Sequence, residues 1–280
     1  FVISIYVNLF IVAVFNFINW DLKFIDTSEI KRFKGYLNIL TILVLIIPFI
    51  KKTKINIIAY IFLIPNLWLS NCNSAILGVL ISLAALSIFY IYKNIFRFKI
   101  LFYFLLFILL TFSSQILLNL PENLDKESIQ TQKFIVPTFL VDAHRQYIWS
   151  FSIKKISEKP LLGYGPDTSN FIEGSQEIIG SKYTGTMPYI PSHPHNFLLE
   201  IFLDTGIIGL VVFIIFIFYY NFQIFRKSNS NGKFLLILFF FYFWGSSLVN
   251  FSFWLGWWQV SYFFITALIS SINLSKNQKT

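Results

Sequence analysis

Ser192-His193-Pro194-His195-Asn196 runs directly into Phe197-Leu198-Leu199-Glu200, and Asp204-Thr205-Gly206 follows shortly after. Two imidazoles, an amide and two carboxylates therefore stand where a long polar stretch meets an apolar run, Phe197 to Tyr220, long enough to span a bilayer. Titratable groups at the mouth of a membrane helix are costly unless they are solvated or used. The same residues also read as a polar, well-capped helix start. His195 is the candidate general base, because imidazole titrates near neutrality and a helix N-terminus favours anions. A metal-chelating pair of His193 and His195 would need further ligands, and an i, i+2 pair across Pro194 diverges if extended. No metal or other cofactor is expected. Arg145 offers a planar fork of donors that suits a phosphate or pyrophosphate and stays charged beside lipid. Its plainer role is a surface ion pair with Asp142, worth little. The chain has no Gly-rich phosphate loop, CxxC, HExxH or Gly-x-Ser-x-Gly turn. Its one cysteine, Cys72, excludes an internal disulfide or a cysteine metal cluster.

The elements that must position these groups are membrane helices. The chain is 56% hydrophobic and 12% charged, with mean hydropathy +0.68, and a soluble domain carries about twice that charge fraction. Eight apolar spans are expected, at about 1–20, 36–50, 55–70, 75–92, 100–120, 197–220, 234–253 and 255–272. The segments 51–54, 93–99, 226–233 and the tail with Lys276 and Lys279 hold 11 of the 22 basic residues and none of the 13 acidic ones. Short Lys/Arg-rich loops face the cytoplasm, and eight spans alternate consistently with all four inside. The connections at 21–35, 71–74, 121–196 and about 254 then lie outside, where Trp254, Trp257 and Trp258 form an interfacial cluster. Lys31, Arg32 and Lys34 break the charge rule, and outward cations beside a membrane can meet a lipid phosphate. The chain starts at Phe1, inside an apolar run with no charged segment before it, so a preceding part is expected rather than a signal peptide. The domains expected are five transmembrane helices over 1–120, an extracytoplasmic loop with the active-site residues over 121–196, and three helices with a cytoplasmic tail over 197–280.

Loop 121–196 has 76 residues, 7 basic and 8 acidic. Within it, residues 143–158 read as an amphipathic surface helix, with Ile148, Phe151 and Ile156 at roughly helical spacing. Lys159-Pro160 ends it. Pro160-Leu161-Leu162-Gly163-Tyr164-Gly165-Pro166 is a turn where glycine permits positive φ. The loop then returns to His195 at the head of the sixth span.

Arg145-Gln146-Tyr147-Ile148-Trp149, Lys159-Pro160-Leu161-Leu162-Gly163-Tyr164-Gly165, His195-Asn196-x-x-Leu199 and Asp204-x-Gly206-x-x-Gly209-Leu210 together resemble the shared region of bacterial O-antigen ligases and polymerases, over roughly residues 30–220. The resemblance implies an all-α, polytopic bundle with a long, partly helical outer loop, of glycosyltransferase C type. It implies transfer of a glycan from undecaprenyl pyrophosphate, without metal, at the outer face of the bacterial inner membrane. The acceptor would be a lipid A core sugar for a ligase or another glycan unit for a polymerase. Arg145 and His195 match functional residues of the family and are the catalytic candidates. His193, Asn196, Gly163 and Gly165 are the expected substrate contacts around them. The family often carries a Ser-Arg-Ser-Ala-like motif at the outer start of a span, where this chain has Cys72-Asn73-Ser74-Ala75. Asn73 stands at the place of the donor-binding Arg, and Arg32 is the cation that would partly replace it. Members usually have around a dozen spans, which agrees with a missing N-terminal part. Membrane lipids are expected partners and nucleic acid is not. A transporter or flippase of lipid-linked sugars is the alternative, but it would favour midplane charges and inverted repeats, and neither is evident. A non-catalytic scaffold leaves the His/Arg/Gly set unexplained.

Overall fold

The structure is a computed structural model that describes residues 2–22, 27–50, 56–70, 72–92, 142–180 and 184–277. Among the described residues it is helical, with no strand and one isolated antiparallel bridge, Ile178 to Pro188. The helices are α1 (Val2–Leu22), α2 (Thr27–Ile50), α3 (Asn56–Leu69), α4 (Asn73–Tyr92), α5 (Ala143–Glu158), α6 (Phe197–Lys227), α7 (Ser230–Ser247) and α8 (Gly256–Asn277), with a 3₁₀ turn at Ser169–Phe171. A helix coincides with each expected span except 100–120, which lies outside the described residues. Among the described residues α4 and α6 are long and apolar enough to cross a membrane. The connection expected at 21–35 is shorter than foreseen, because α2 already starts at Thr27 and takes Arg32 into its first turns.

The chain divides into two compact units. The first comprises 1–97, 221–246 and 260–280. Its centre is α7, where every residue from Leu235 to Trp244 is buried. A helix apolar on all sides belongs inside a bundle. Gly78 of α4 lets that helix approach α7 closely, since a Cβ there would lie 2.8 Å from the Tyr242 carbonyl oxygen. Small residues at crossings are how membrane helices gain packing energy without a hydrophobic drive.

The second unit comprises 98–220 and 247–259. Here α6 is broken: Gly206 has φ +65° and ψ −171°, outside helical values. Before the break, from Phe197, the helix is almost wholly buried. After it, Ile207, Ile208, Val211, Val212, Ile215 and Phe216 are exposed. The break separates a polar-tied segment from an apolar one suited to lipid.

Candidate functional site

The site is built within the second unit, and α5 is its frame. Asp142 caps the helix, its Oδ1 accepting from the Arg145 amide at 2.9 Å. The expected amphipathic surface helix is corrected by the burial pattern. Gln146, Ser150 and Ser152 are buried with Tyr147, Ile148 and Trp149, while Phe151 is only half-buried. The physical reason is that α5 serves as the core of the loop. Its Trp149 Nε1 donates to the Pro194 carbonyl at 3.0 Å, and His144 Nε2 donates to the Pro188 carbonyl at 2.9 Å. Ala143 and Tyr147 pack with Ile179 and Tyr189, and Phe151 stacks on Tyr189 with ring centroids 5.1 Å apart. The segment leading to the histidines is thereby fixed at both ends.

His193 and His195 lie with ring centroids 4.1 Å apart. His193 Nε2 and His195 Nδ1 both stand 2.9 Å from one oxygen, the Asn250 carbonyl. A carbonyl only accepts, so both nitrogens carry hydrogen. That sets both tautomers of the neutral rings. His193 Nδ1 keeps its lone pair and accepts from Ser192 Oγ at 3.0 Å. Among the described residues His195 Nε2 keeps its lone pair without a partner. Burial pushes the His195 imidazole down to about 3, helped by its proximity to His193, against the opposing pull of the Asn250 carbonyl, with a smaller push from Arg145. His193 is also lowered, chiefly by burial. His195 itself has φ +56°, a left-handed conformation that costs a non-glycine residue about 1 kcal/mol or more and that clusters at functional sites.

Arg145 pairs through Nη1 with Asp142 Oδ2 at 2.7 Å, the plain role foreseen for it. Its Nε is nevertheless buried without a hydrogen-bond partner among the described residues. Its charge is felt at both imidazoles. The side-chain Nδ2 of Asn250 is likewise buried without a partner among the described residues.

The two carboxylates of α6 are occupied by the fold. Glu200 accepts from Ser252 Oγ at 2.6 Å and from the Phe253 amide at 2.6 Å. Asp204 accepts from Ser169 Oγ at 2.7 Å, Trp254 Nε1 at 2.7 Å and the Asp167 amide at 3.1 Å. They tie the 252–254 loop down, which places Asn250 at the histidines. The Pro160–Gly165 turn fills the break in α6. Tyr164 and Gly165 amides donate to the Leu203 and Asp204 carbonyls at 3.0 and 2.8 Å, and the Ile207 amide donates to the Pro160 carbonyl at 2.9 Å. The break therefore leaves these backbone groups paired, as burial demands.

The expected substrate contacts divide on inspection. Gly163 has φ +66°, and a Cβ on it would lie 2.5 Å from the Asp204 carbonyl carbon, so its glycine serves close packing on α6. Gly165 has φ +115° and bonds α6 through its amide. Asn196 caps α6, its Oδ1 accepting from the Leu198 and Leu199 amides at 3.0 and 3.2 Å. Asn73 opens α4 in the first unit with its side chain exposed. The Arg32 and Lys31 side chains lie outside the described residues. The structure thus brings together His193, His195 and Asn250, with the Arg145 guanidinium near enough for its charge to act on both imidazoles. No local signal marks Asn250: it is a lone amide between Val249 and Phe251.

Among the described residues the chain is helical, with two helices of membrane-crossing length and a pair of imidazoles at the head of one of them. The family model described as O-antigen ligase matches residues 58–214, more than half of the chain. The chain belongs to the O-antigen ligase family. A protein named "putative polysaccharide ligase" from Rickettsia conorii is 34% identical over 151 residues, covering 53% of this chain and 34% of that protein. Proteins of the same descriptive name from Rickettsia prowazekii and Rickettsia felis are each 32% identical, over 152 and 151 residues, covering 53% of this chain and 35% of each relative. The matched part thus spans about a third of the length of these relatives. No solved structure matches the chain.

Proposed function

We propose that this chain carries the active site of an O-antigen ligase-type glycan transferase, which moves a glycan from undecaprenyl pyrophosphate to an acceptor sugar at the outer face of the bacterial inner membrane. One observation carries the reading. A neutral His195 with an open Nε2 lone pair stands in the same cluster as Arg145, whose buried Nε–H has no acceptor. Burial holds the free imidazole near 3, too low for a base at neutral pH, so the proton transfer depends on the donor's pyrophosphate charge raising it: with that anion beside it, His195 Nε2 takes the acceptor hydroxyl's proton as the hydroxyl oxygen bonds the anomeric carbon. The bond from that carbon to the pyrophosphate oxygen breaks, and the electron pair leaves with the pyrophosphate. Arg145 favours the charge that grows there, and such fixed donors are worth most where water is excluded. The family description and the relatives' names speak of ligation, which supports a ligase over a polymerase, and a ligase would take a lipid A core sugar as acceptor.

The test is transfer by the full-length protein from a synthetic polyprenyl-pyrophosphate glycan. Translocation of the lipid-linked glycan without transfer would support a flippase instead. In a deletion strain, loss of all polysaccharide capping fits a ligase, and a single retained unit fits a polymerase. Topology is part of the reading: loop 121–196 faces outward, and Arg226 to Lys233 faces the cytoplasm with the other basic segments. Glu173→Cys and Ser230→Cys, each in a Cys72→Ser background, should label from opposite sides of the membrane. Labelling of both from one side would refute the map.

A further inference from the structure

Asn250 enters the site twice. Its backbone carbonyl takes N–H bonds from both imidazoles and so holds His195 in the tautomer that leaves Nε2 open. Its side-chain Nδ2 is buried with no acceptor, as is Arg145 Nε. Burying a polar N–H without a partner is costly, and native folds rarely leave one so unless something outside the chain satisfies it. Two orphaned donors, one on Asn250 at the histidines and one on Arg145, whose charge acts on both imidazoles, ask for a ligand surface made of acceptor oxygens. The remaining open valence, His195 Nε2, is the opposite kind and asks for a hydroxyl proton. The cluster is therefore divided into a donor side and an acceptor side.

From this division we infer that the Asn250 side-chain amide is a substrate-binding group that donates to a phosphate oxygen of the lipid-linked donor, beside Arg145. The inference rests on the transferase reading above. Charge balance chooses the phosphate over the nucleophile. During transfer, negative charge accumulates on the leaving pyrophosphate, and a donor placed there strengthens its bond as the reaction proceeds. A donor on the attacking hydroxyl oxygen would withdraw density from the nucleophile and oppose attack. The guanidinium in the same cluster raises the anion's preference for that side. The carboxylates nearest in sequence do not compete for the amide, because Glu200 and Asp204 are held by Ser252, Phe253, Ser169, Trp254 and Asp167.

Because the tautomer lock is a backbone group, side-chain substitution at Asn250 isolates the amide. The full-length protein in nanodiscs is titrated with a short polyprenyl pyrophosphate lacking a glycan, and transfer is assayed across donor and acceptor concentrations. Asn250→Ala should weaken polyprenyl-pyrophosphate binding about tenfold, the scale of one hydrogen bond to a charged group, and raise the donor KM in proportion. The acceptor KM and the pH profile should stay as in wild type. Asn250→Asp, of the same size, should cost about a hundredfold, since a carboxylate then faces the phosphate. It also serves as the second variant if the alanine form does not fold. Unchanged pyrophosphate binding in both variants, with wild type binding normally, would overturn the role of Asn250 alone. A raised acceptor KM with donor binding intact would overturn it in favour of the other substrate. Wild-type protein that binds no polyprenyl pyrophosphate would sink the transferase reading itself.

Discussion

Two buried polar clusters in this molecule differ in one respect. In the first unit, Asn38 Nδ2 donates to the Lys34 carbonyl at 2.8 Å, Ser74 Oγ at 3.2 Å and Cys72 Sγ at 3.4 Å, and the Tyr242 hydroxyl donates to the Asn38 carbonyl at 3.1 Å and to Oδ1 at 3.2 Å. Every valence is met from within, and the cluster joins α2, α4 and α7. In the second unit, Arg145, His193, His195 and Asn250 leave two N–H groups and one lone pair unmet, on a backbone held at φ +56°. An unmet buried group costs about 1–3 kcal/mol. A closed cluster specifies packing, whereas an open one carries a cost that only a ligand can offset. Polar burial alone does not mark a site.

The largest break in that comparison should come from His195→Ala. Loss of the open Nε2 should reduce transfer by about a hundredfold or more, the scale of losing a general base. His193→Ala should cost less, since the nitrogens of that ring are already engaged by Asn250 and Ser192. Equal, small effects at normal expression would show that the cluster is open for some other reason.

Arg145→Lys comes next. Lysine keeps the charge but has no Nε–H in a planar fork, so it cannot pair with Asp142 and present a second donor in the same geometry. Transfer should fall about tenfold or more, nearly as far as with Arg145→Ala, and the donor KM should carry the loss. Wild-type kinetics for either variant would remove the clamp.

Much of the frame was legible in advance. Apolar runs of membrane-helix length gave most helix positions, and His195 and Arg145 stand out because few side chains can hold a proton or a phosphate beside lipid. What could not be read depends on distant backbone. Gly163 looks like a turn glycine that meets substrate until the Leu203 and Asp204 carbonyls are found against it. Asn196 sits beside the base but spends its oxygen on the helix start. The surface helix became a core helix because Gln146, Ser150 and Ser152 are buried, which periodicity of the apolar residues does not report. Asn250 arrives from a loop 55 residues beyond His195, held there by Glu200 and Asp204.

The two clusters also differ in what pH does to them. The His195 imidazole lies near 3 in the folded protein, against about 6.5 when unfolded. Between these values the unfolded chain binds the extra proton, so stability is full above about pH 6.5 and declines as pH falls toward 3. The steepest loss is about 1.3 kcal/mol per pH unit from this group. Thermal unfolding of the purified protein between pH 7 and pH 4 should show the decline, and His195→Gln should flatten it. A decline of the same slope in the variant would assign it to other groups.

The smallest effect should come from opening the closed cluster. Tyr242 is fully buried, and its hydroxyl donates to the Asn38 carbonyl and Oδ1, at the level where Gly78 admits α4 against α7. Tyr242→Phe keeps the ring, so the packing on Gly78 survives and only the hydroxyl is lost. Asn38 Oδ1 then has no donor, at a cost near 1 kcal/mol or somewhat less, since interhelical hydrogen bonds in membrane proteins are worth about 0.6 kcal/mol on average. Asparagine and serine do not titrate, and tyrosine and cysteine titrate only at alkaline pH, so the loss should be the same from pH 4 to pH 7. Transfer rates and polyprenyl-pyrophosphate binding should be those of wild type at temperatures below unfolding. A kinetic loss as large as that of Arg145→Lys, with an unchanged melting temperature, would mean that the first unit also presents its polar groups to substrate and that the contrast between the clusters is false.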